Sequence, residues 1–249
     1  MKIQSTNQTF KSGLTPKILK AERGLNTNAI QYYLFQNKKI FSDFENNKPN
    51  ALAVLLGITV LDSFKTKYNG FNLFCPSIKT YEQKELITDK NLHNFCIQEK
   101  QFVLKNHQPY EKGSIFYEKV NSLEEMNSII ETDARKGKRS SGHFLAETIH
   151  EMLHAIYLEY ISKINPKLLP ELQKKTFNEK ENTIIKNTLG SYASENKNQY
   201  HEVFAEAFTQ VICNSLDNCI LVKNPKEELR KYPQNFLNII KKVLHPDIN

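Results

Sequence analysis

"GHFLAETIHEMLHAIYLEYI", Gly142 to Ile161, decides how the rest of the chain is read. Leu145, Ile149, Met152, Leu153 and Ile156 recur at helical spacing, so the stretch is expected to be a helix with a continuous core-facing stripe. Within it lies His150-Glu151-Met152-Leu153-His154, an H-E-x-x-H. Residues four apart share a helical face, so both imidazoles can reach one metal ion while Glu151 points to one side of it. From there Glu151 can take a proton from an attacking water. The bland alternative is a pair of surface or core histidines, since three fixed positions in five do recur by chance. Against it, all three side chains border the apolar stripe, where polar groups are costly to bury without partners.

Zinc in such a site takes a third protein ligand and leaves a fourth position for water. One solution is a glycine and a third histidine soon after the motif, but "HAIYLEYISK" has neither. The other common solution is a Glu from a later helix, with an acidic residue one turn on that hydrogen-bonds a ligand histidine. "YHEVFAEAFTQV", Tyr200 to Val211, has this form. Val203, Phe204, Ala207, Phe208, Val211 and Ile212 recur at core-facing spacing. Glu202 and Glu206 lie on one face beside that stripe, where like charges repel by a few tenths of a kcal/mol. A divalent cation removes the conflict: Glu202 joins His150 and His154 as a ligand, and Glu206 orients a histidine. His201 lies about 100° around the helix from Glu202 and stays outside the ligand set. Glu195 reads as a solvated loop residue.

The 249 residues can bury one sizeable core or two modest ones. Hydrophobic residues at 39% and charged residues at 24% suit a water-soluble globular chain. No stretch approaches the 18 or more apolar residues of a membrane span, and "ALAVLLGITVL" (Ala51 to Leu61), broken by Gly57 and Thr59, reads as a core helix or strand. The net charge of +7 is dispersed in singles and pairs; "ARKGKR" (Ala134 to Arg139) is the tight cluster, in an expected loop. With no aromatic-basic repeat, zinc-finger spacing or RNP-like stretch, a solvated surface is expected and nucleic acid is not. Cys75, Cys96, Cys213 and Cys219 form no paired metal pattern and are expected to be free thiols. No apolar secretory segment opens the chain, so a cytoplasmic location or export by a signal-peptide-independent route is expected.

Along the chain, residues 1–48 are polar and end in the turn-rich "ENNKPN", an extension that is either partly disordered or a helical lead-in. Short apolar runs follow ("GFNLFC", "NFCIQ", "QFVLK", "GSIFYEKV") and are expected to be strands of a small sheet. "QFVLK" or "SIFYEKV" would form its edge. After "SLEEMNSIIETD", a helix start, the chain turns helical: "PELQKKTFNEKENTIIKNTLG" stops near Gly190, and "PQNFLNIIKKVLHP" makes a last amphipathic helix. Strands first and helices second argue for an α+β fold.

"HEMLHA" followed by "SYAS" and "HEVFAEAF" resembles the catalytic domain of the anthrax lethal factor and Pro-Pro endopeptidase group of zinc metallopeptidases. Its pattern is H-E-x-x-H-A, a Tyr, then E-F-F-A-E-A-F. The resemblance spans about Gly142 to Val211; it departs at Val203 and at Leu153, where the family usually has Gly. It implies a zincin-like fold over 49–249, with a small twisted N-terminal sheet, an active-site helix and a helical C-terminal lobe. It further implies one zinc ion on His150, His154 and Glu202, Glu151 as general base and Glu206 behind the ligands. The family's transition-state tyrosine stands seven residues before its ligand Glu. Tyr192 stands ten before Glu202 and Tyr200 two before; Tyr192, in the family-like "YA", is the expected counterpart. The expected activity is hydrolysis of peptide bonds in a protein substrate, as a toxin-like effector or an intracellular protease. The alternative is a catalytically inactive zinc-binding interaction module. Nothing points to a preference for proline, and the oligomeric state is left open.

Overall fold

The computed structural model of the protein describes residues 47–65, 77–87, 93–106, 108–172, 174–195, 199–217 and 228–246. The expected extension over 1–48 lies outside them except for Asn47 and Lys48, as do the expected strand "GFNLFC" and the cysteines Cys75 and Cys219. The described elements are mixed α and β, mostly helical. In chain order they are α1 (Lys48–Lys65), β1 (Ile78–Tyr81), β2 (Asn94–Cys96), β3 (Gln101–Phe102), β4 (Pro109–Tyr110), β5 (Ile115–Glu118), α2 (Leu123–Arg135), α3 (Ala146–Ile164), α4 (Leu169–Leu172), α5 (Glu179–Leu189), α6 (Ser191–Glu195), α7 (Gln199–Asp217) and α8 (Gln234–Leu244).

The apolar run after Asn50 is helical, not a strand, because Asn47 starts it: its Oδ1 accepts the Asn50 N–H at 3.1 Å. Asn50 then ties α1 to the sheet, donating to the Glu118 carbonyl at 3.0 Å and accepting from the Val120 N–H at 3.1 Å. Gly57 interrupts the run for a packing reason. A Cβ there would come within 3.2 Å of Met152 Sδ and Thr148 Cγ2 on α3.

The three-stranded sheet has the order β1-β5-β2, with β5 parallel to β1 and antiparallel to β2. β3 and β4 pair separately. Among the described residues this corrects the expected edge: "SIFYEKV" is the central strand, "QFVLK" leaves the sheet for the smaller pair, and β2 ends the sheet beside α3. On β5 the two-residue period divides the core, since Ile115 and Tyr117 join the main cluster while Phe116 joins a second one with Tyr81, Leu86, Ile97, Leu104 and Tyr110.

Two helices begin later than their apolar patterns suggest. α3 starts at Ala146 because the His143 ring captures the Leu145 N–H at 3.1 Å and turns the backbone first. The helix expected from Pro170 to Gly190 is divided; α5 begins only after Asn178, which exchanges capping bonds with Glu181 at 2.9 and 3.1 Å. "SLEEMNSIIETD" does start at Ser122, whose Oγ accepts the Glu125 N–H at 3.1 Å.

α3 runs through the middle of the fold, packed mainly on α7, with β2, β5 and α1 on its other sides. Every residue from Ala146 to Leu158 is buried. Tyr117 donates its hydroxyl to the Thr148 carbonyl at 2.8 Å, joining sheet to helix. Tyr157 and Tyr160 donate to the last carbonyls of α8, Val243 at 2.7 Å and Leu244 at 2.9 Å, which lack helical partners. Among the described residues no helix is long and apolar enough to cross a membrane.

Gly190 closes α5 at φ +100°, and the next two N–H groups, of Ser191 and Tyr192, donate to the carbonyls of Gly137 and Lys138 at 2.9 and 3.1 Å. A Cβ at Gly190 would sit 2.7 Å from the Lys138 oxygen, whereas one at Gly137, φ +67°, would meet nothing within 4 Å. Gly190→Ala should therefore destabilise by roughly 2–3 kcal/mol and Gly137→Ala by roughly 1 kcal/mol, as read by denaturant unfolding. Equal losses would show that the close approach contributes nothing.

Candidate metal centre

α3 and α7 cross so that His150, His154 and Glu202 face one another from opposite helices, all buried. The two Nε2 atoms lie 2.9 Å apart. Glu202 spans them, with one carboxylate oxygen 3.2 Å from His150 Nε2 and the other 3.5 Å from His154 Nε2. Donors held about 2.0–2.1 Å from a tetrahedral ion stand about 3.3–3.4 Å apart, so this spacing suits a small cation. Glu151 shares the space: one ligand atom from each of His150, Glu151 and His154 lies within 4.8 Å of the others. A metal ion could be held by this buried His-Glu-His group.

Glu206, one turn after Glu202, faces the back of His150, its carboxylate 3.4 Å from Nδ1. Its closer partners come from a loop. Arg139 reaches it at 2.8 Å, and Ser140 donates its N–H at 3.1 Å and its hydroxyl at 2.5 Å. The positive charge beside Glu206 is thus first a guanidinium of the chain itself, a partner the sequence reading did not foresee beside the expected cation. Arg139 also lies 3.8 Å from Glu147, which Asn94 of β2 bonds from the other side.

Burial pushes the Glu151 carboxyl up to about 7, with Glu202 and Glu147 adding to the shift and His154 and Arg139 opposing it. Burial acts the same way on Glu202 and Glu206, but is outweighed. His154 and His150 hold Glu202 well below the ordinary carboxylate range, and His150, Arg139 and Ser140 do so for Glu206. Burial disfavours charge on Arg139 too, yet Glu206 and Glu147 raise it above its ordinary value.

The residues expected from sequence, His150, Glu151, His154, Glu202 and Glu206, are all brought together. Of the two tyrosines, Tyr192 stands beside the cluster, its ring centroid 6.2 Å from that of His150 and its surface 36% exposed. Glu202 above all, then burial, keeps its hydroxyl protonated well past the ordinary tyrosine range, while Arg139 pulls the other way. Tyr200 is elsewhere, buried and stacked at 4.7 Å on Phe177. Glu195 is solvent-exposed, as expected, but it ends helix α6 rather than lying in a loop. His201 is fully buried, its ring centroid 6.3 Å from that of His154 and edge-on to Tyr157 at 4.8 Å, where burial and then His154 lower its pKa to about 3.

Sequence reading missed Arg139, Ser140, Glu147 and Asn94. "ARKGKR" looks like surface charge, but its last residue is half-buried, with 15% of its side chain exposed. A signal did exist: Glu147 precedes His150 by three residues and so shares its face, and a further buried carboxylate calls for a cation. Comparison with protein-family models, with curated proteins and with solved structures finds no match to this chain.

The raised Glu151 pKa has a thermodynamic sign. Below pH 4.5 the group is protonated folded and unfolded and contributes nothing. Between 4.5 and about 7 the unfolded chain ionises first, so stability falls, and above 7 the full loss of on the order of 3 kcal/mol persists. In chelator-treated protein, the gain in melting temperature of Glu151→Gln over wild type should therefore grow from pH 5 to pH 8. A gain independent of pH would show that Glu151 titrates normally.

Proposed function

We propose that the protein is a zinc-dependent endopeptidase that hydrolyses peptide bonds of a protein substrate. One observation carries the reading: two imidazoles and a carboxylate converge at 2.9, 3.2 and 3.5 Å in the core, with a second carboxylate, Glu151, beside them. Two nitrogens and one carboxylate make a zinc donor set, and three protein ligands leave a position open for chemistry. A structural site has no use for a base at that position. The resemblance of both motifs to zinc metallopeptidases favours peptides over other hydrolysable bonds.

His150, His154 and Glu202 would hold the ion. When bound, zinc supplies a Lewis acid that polarises the scissile carbonyl and makes the attacking water acidic. Glu151 takes the water's proton and passes it to the leaving amine; a carboxyl with a pKa near neutrality suits both transfers. Tyr192, kept protonated, donates its hydroxyl to the oxygen on which negative charge develops. Glu206, its carboxylate 3.4 Å from His150 Nδ1, would orient that imidazole and leave Nε2 as the face toward the ion. β2, at the end of the sheet beside α3, offers its edge to an extended substrate.

Native mass spectrometry tests the ligand set, with one zinc expected on the wild type and a clear loss of occupancy for Glu202→Ala. A wild type that takes no zinc after reconstitution sinks the proposal. Glu151→Ala should keep the zinc and lose about 10²–10⁴-fold in cleavage of a peptide library. If that variant binds zinc and wild type and variant cleave nothing alike, the protein is a zinc-binding interaction module instead.

A further inference from the structure

Arg139 uses one guanidinium twice. Its edge meets Glu206 at 2.8 Å, and its face lies 4.0 Å from the centroid of the Tyr192 ring. The loop around it makes the same two connections with other groups. On the N-terminal side, the Lys138 carbonyl accepts the Tyr192 N–H at 3.1 Å; on the C-terminal side, Ser140 donates its N–H and hydroxyl to Glu206. A residue needed only to neutralise Glu206 and Glu147 would require charge alone, which a lysine supplies. Only a planar guanidinium offers in-plane donors to a carboxylate and, at the same time, a flat face to a ring. Tyr192 has much to gain, since it is partly exposed on the five-residue α6 and meets the His150 ring only edge-on, at 6.2 Å between centroids.

We infer that Arg139 is a positioning residue that couples Tyr192 to Glu206, and through Glu206 to His150, so that the ring and the imidazole keep one relative placement. The catalytic meaning of that coupling rests on the peptidase proposal, whereas the coupling itself does not. In catalytic terms, the group that would stabilise developing charge and a ligand of the ion are held in register by one side chain. A loose tyrosine would weaken the reaction without disturbing metal binding, whereas a loose histidine would weaken metal binding and the reaction with it; loss of Arg139 would loosen both groups.

The chain contains no Trp, so Tyr192→Trp places a single indole where the tyrosine ring stands. Acrylamide quenching of that indole, in metal-free protein whose fold is checked by circular dichroism, reads the coupling without zinc or substrate. Adding Arg139→Lys, which keeps the charge and removes the planar face, should raise the quenching constant at least about two-fold. Adding Glu206→Gln instead leaves Arg139 in place but removes the carboxylate charge that holds its edge, and should also raise the constant; this variant decides the matter if Arg139→Lys does not fold. A constant unchanged by Glu206→Gln overturns the inference, because an arginine that merely fills space over the ring would still shield it.

Zinc affinity, with the metal alone as ligand and a chromophoric chelator as competitor, gives a second reading in the Tyr192-containing chain. Arg139→Lys and Glu206→Gln should each weaken binding about 10-fold, and the double variant should be no worse than the weaker single one. Losses that multiply would show independent roles and overturn the coupling. If wild type binds no zinc, the peptidase proposal fails, and the quenching comparison still decides the role of Arg139.

Discussion

α3 is buried along thirteen consecutive residues and within that length carries Glu147, His150, Glu151 and His154. A charged or polar group in such a place is tolerated only with partners inside the fold. Each neighbouring element is arranged to supply one. α7 crosses with Glu202 against the two imidazoles and Glu206 behind the first. The loop after α2 folds back to bring Arg139 between Glu206 and Glu147. β2 ends the sheet where Asn94 can reach Glu147. The apolar surface of α3 drives burial, but its polar groups dictate what must lie opposite.

Charge explains why the centre is suited to a cation. Glu147, Glu151, Glu202 and Glu206 crowd around one guanidinium and two imidazoles. Glu202 and Glu206 take the two imidazoles and the guanidinium as partners, and Glu151, buried beside two carboxylates, resists ionisation up to about pH 7. A divalent ion among these groups would reverse that balance by favouring every ionised carboxylate near it. In the proposed reaction the same buried setting would suit Glu151, because proton transfer is most effective when the pKa of the base is close to the working pH.

The site was unusually legible in the sequence because its logic is helical. His150 and His154 four apart, and Glu202 and Glu206 four apart, are faces set by 3.6 residues per turn, and they hold wherever the two helices go. The strands were less legible. β1 has Lys79 and Thr80 between its apolar ends and lacks a visible run, while the strongly apolar "SIFYEKV" suggested an edge although apolarity on both faces is what a central strand requires. Helix starts slipped for a local reason: the His143 and Asn178 side chains bind backbone N–H groups and set starts that an apolar period does not register.

Composition and spacing by themselves determined that the chain is α+β, that two helices carry matched polar faces, and that those faces would need each other. They could not determine who else would be present. Arg139 sits in a run of basic residues that looks like solvated surface, and which tyrosine ring lies beside His150 depends on what the α5–α6 corner delivers there. Both were decided by tertiary structure, through the Gly190 turn and its two backbone bonds to Gly137 and Lys138. The reason is physical: a helix face is a local property of a few turns, whereas a loop residue acquires its neighbours only when distant segments close on one another.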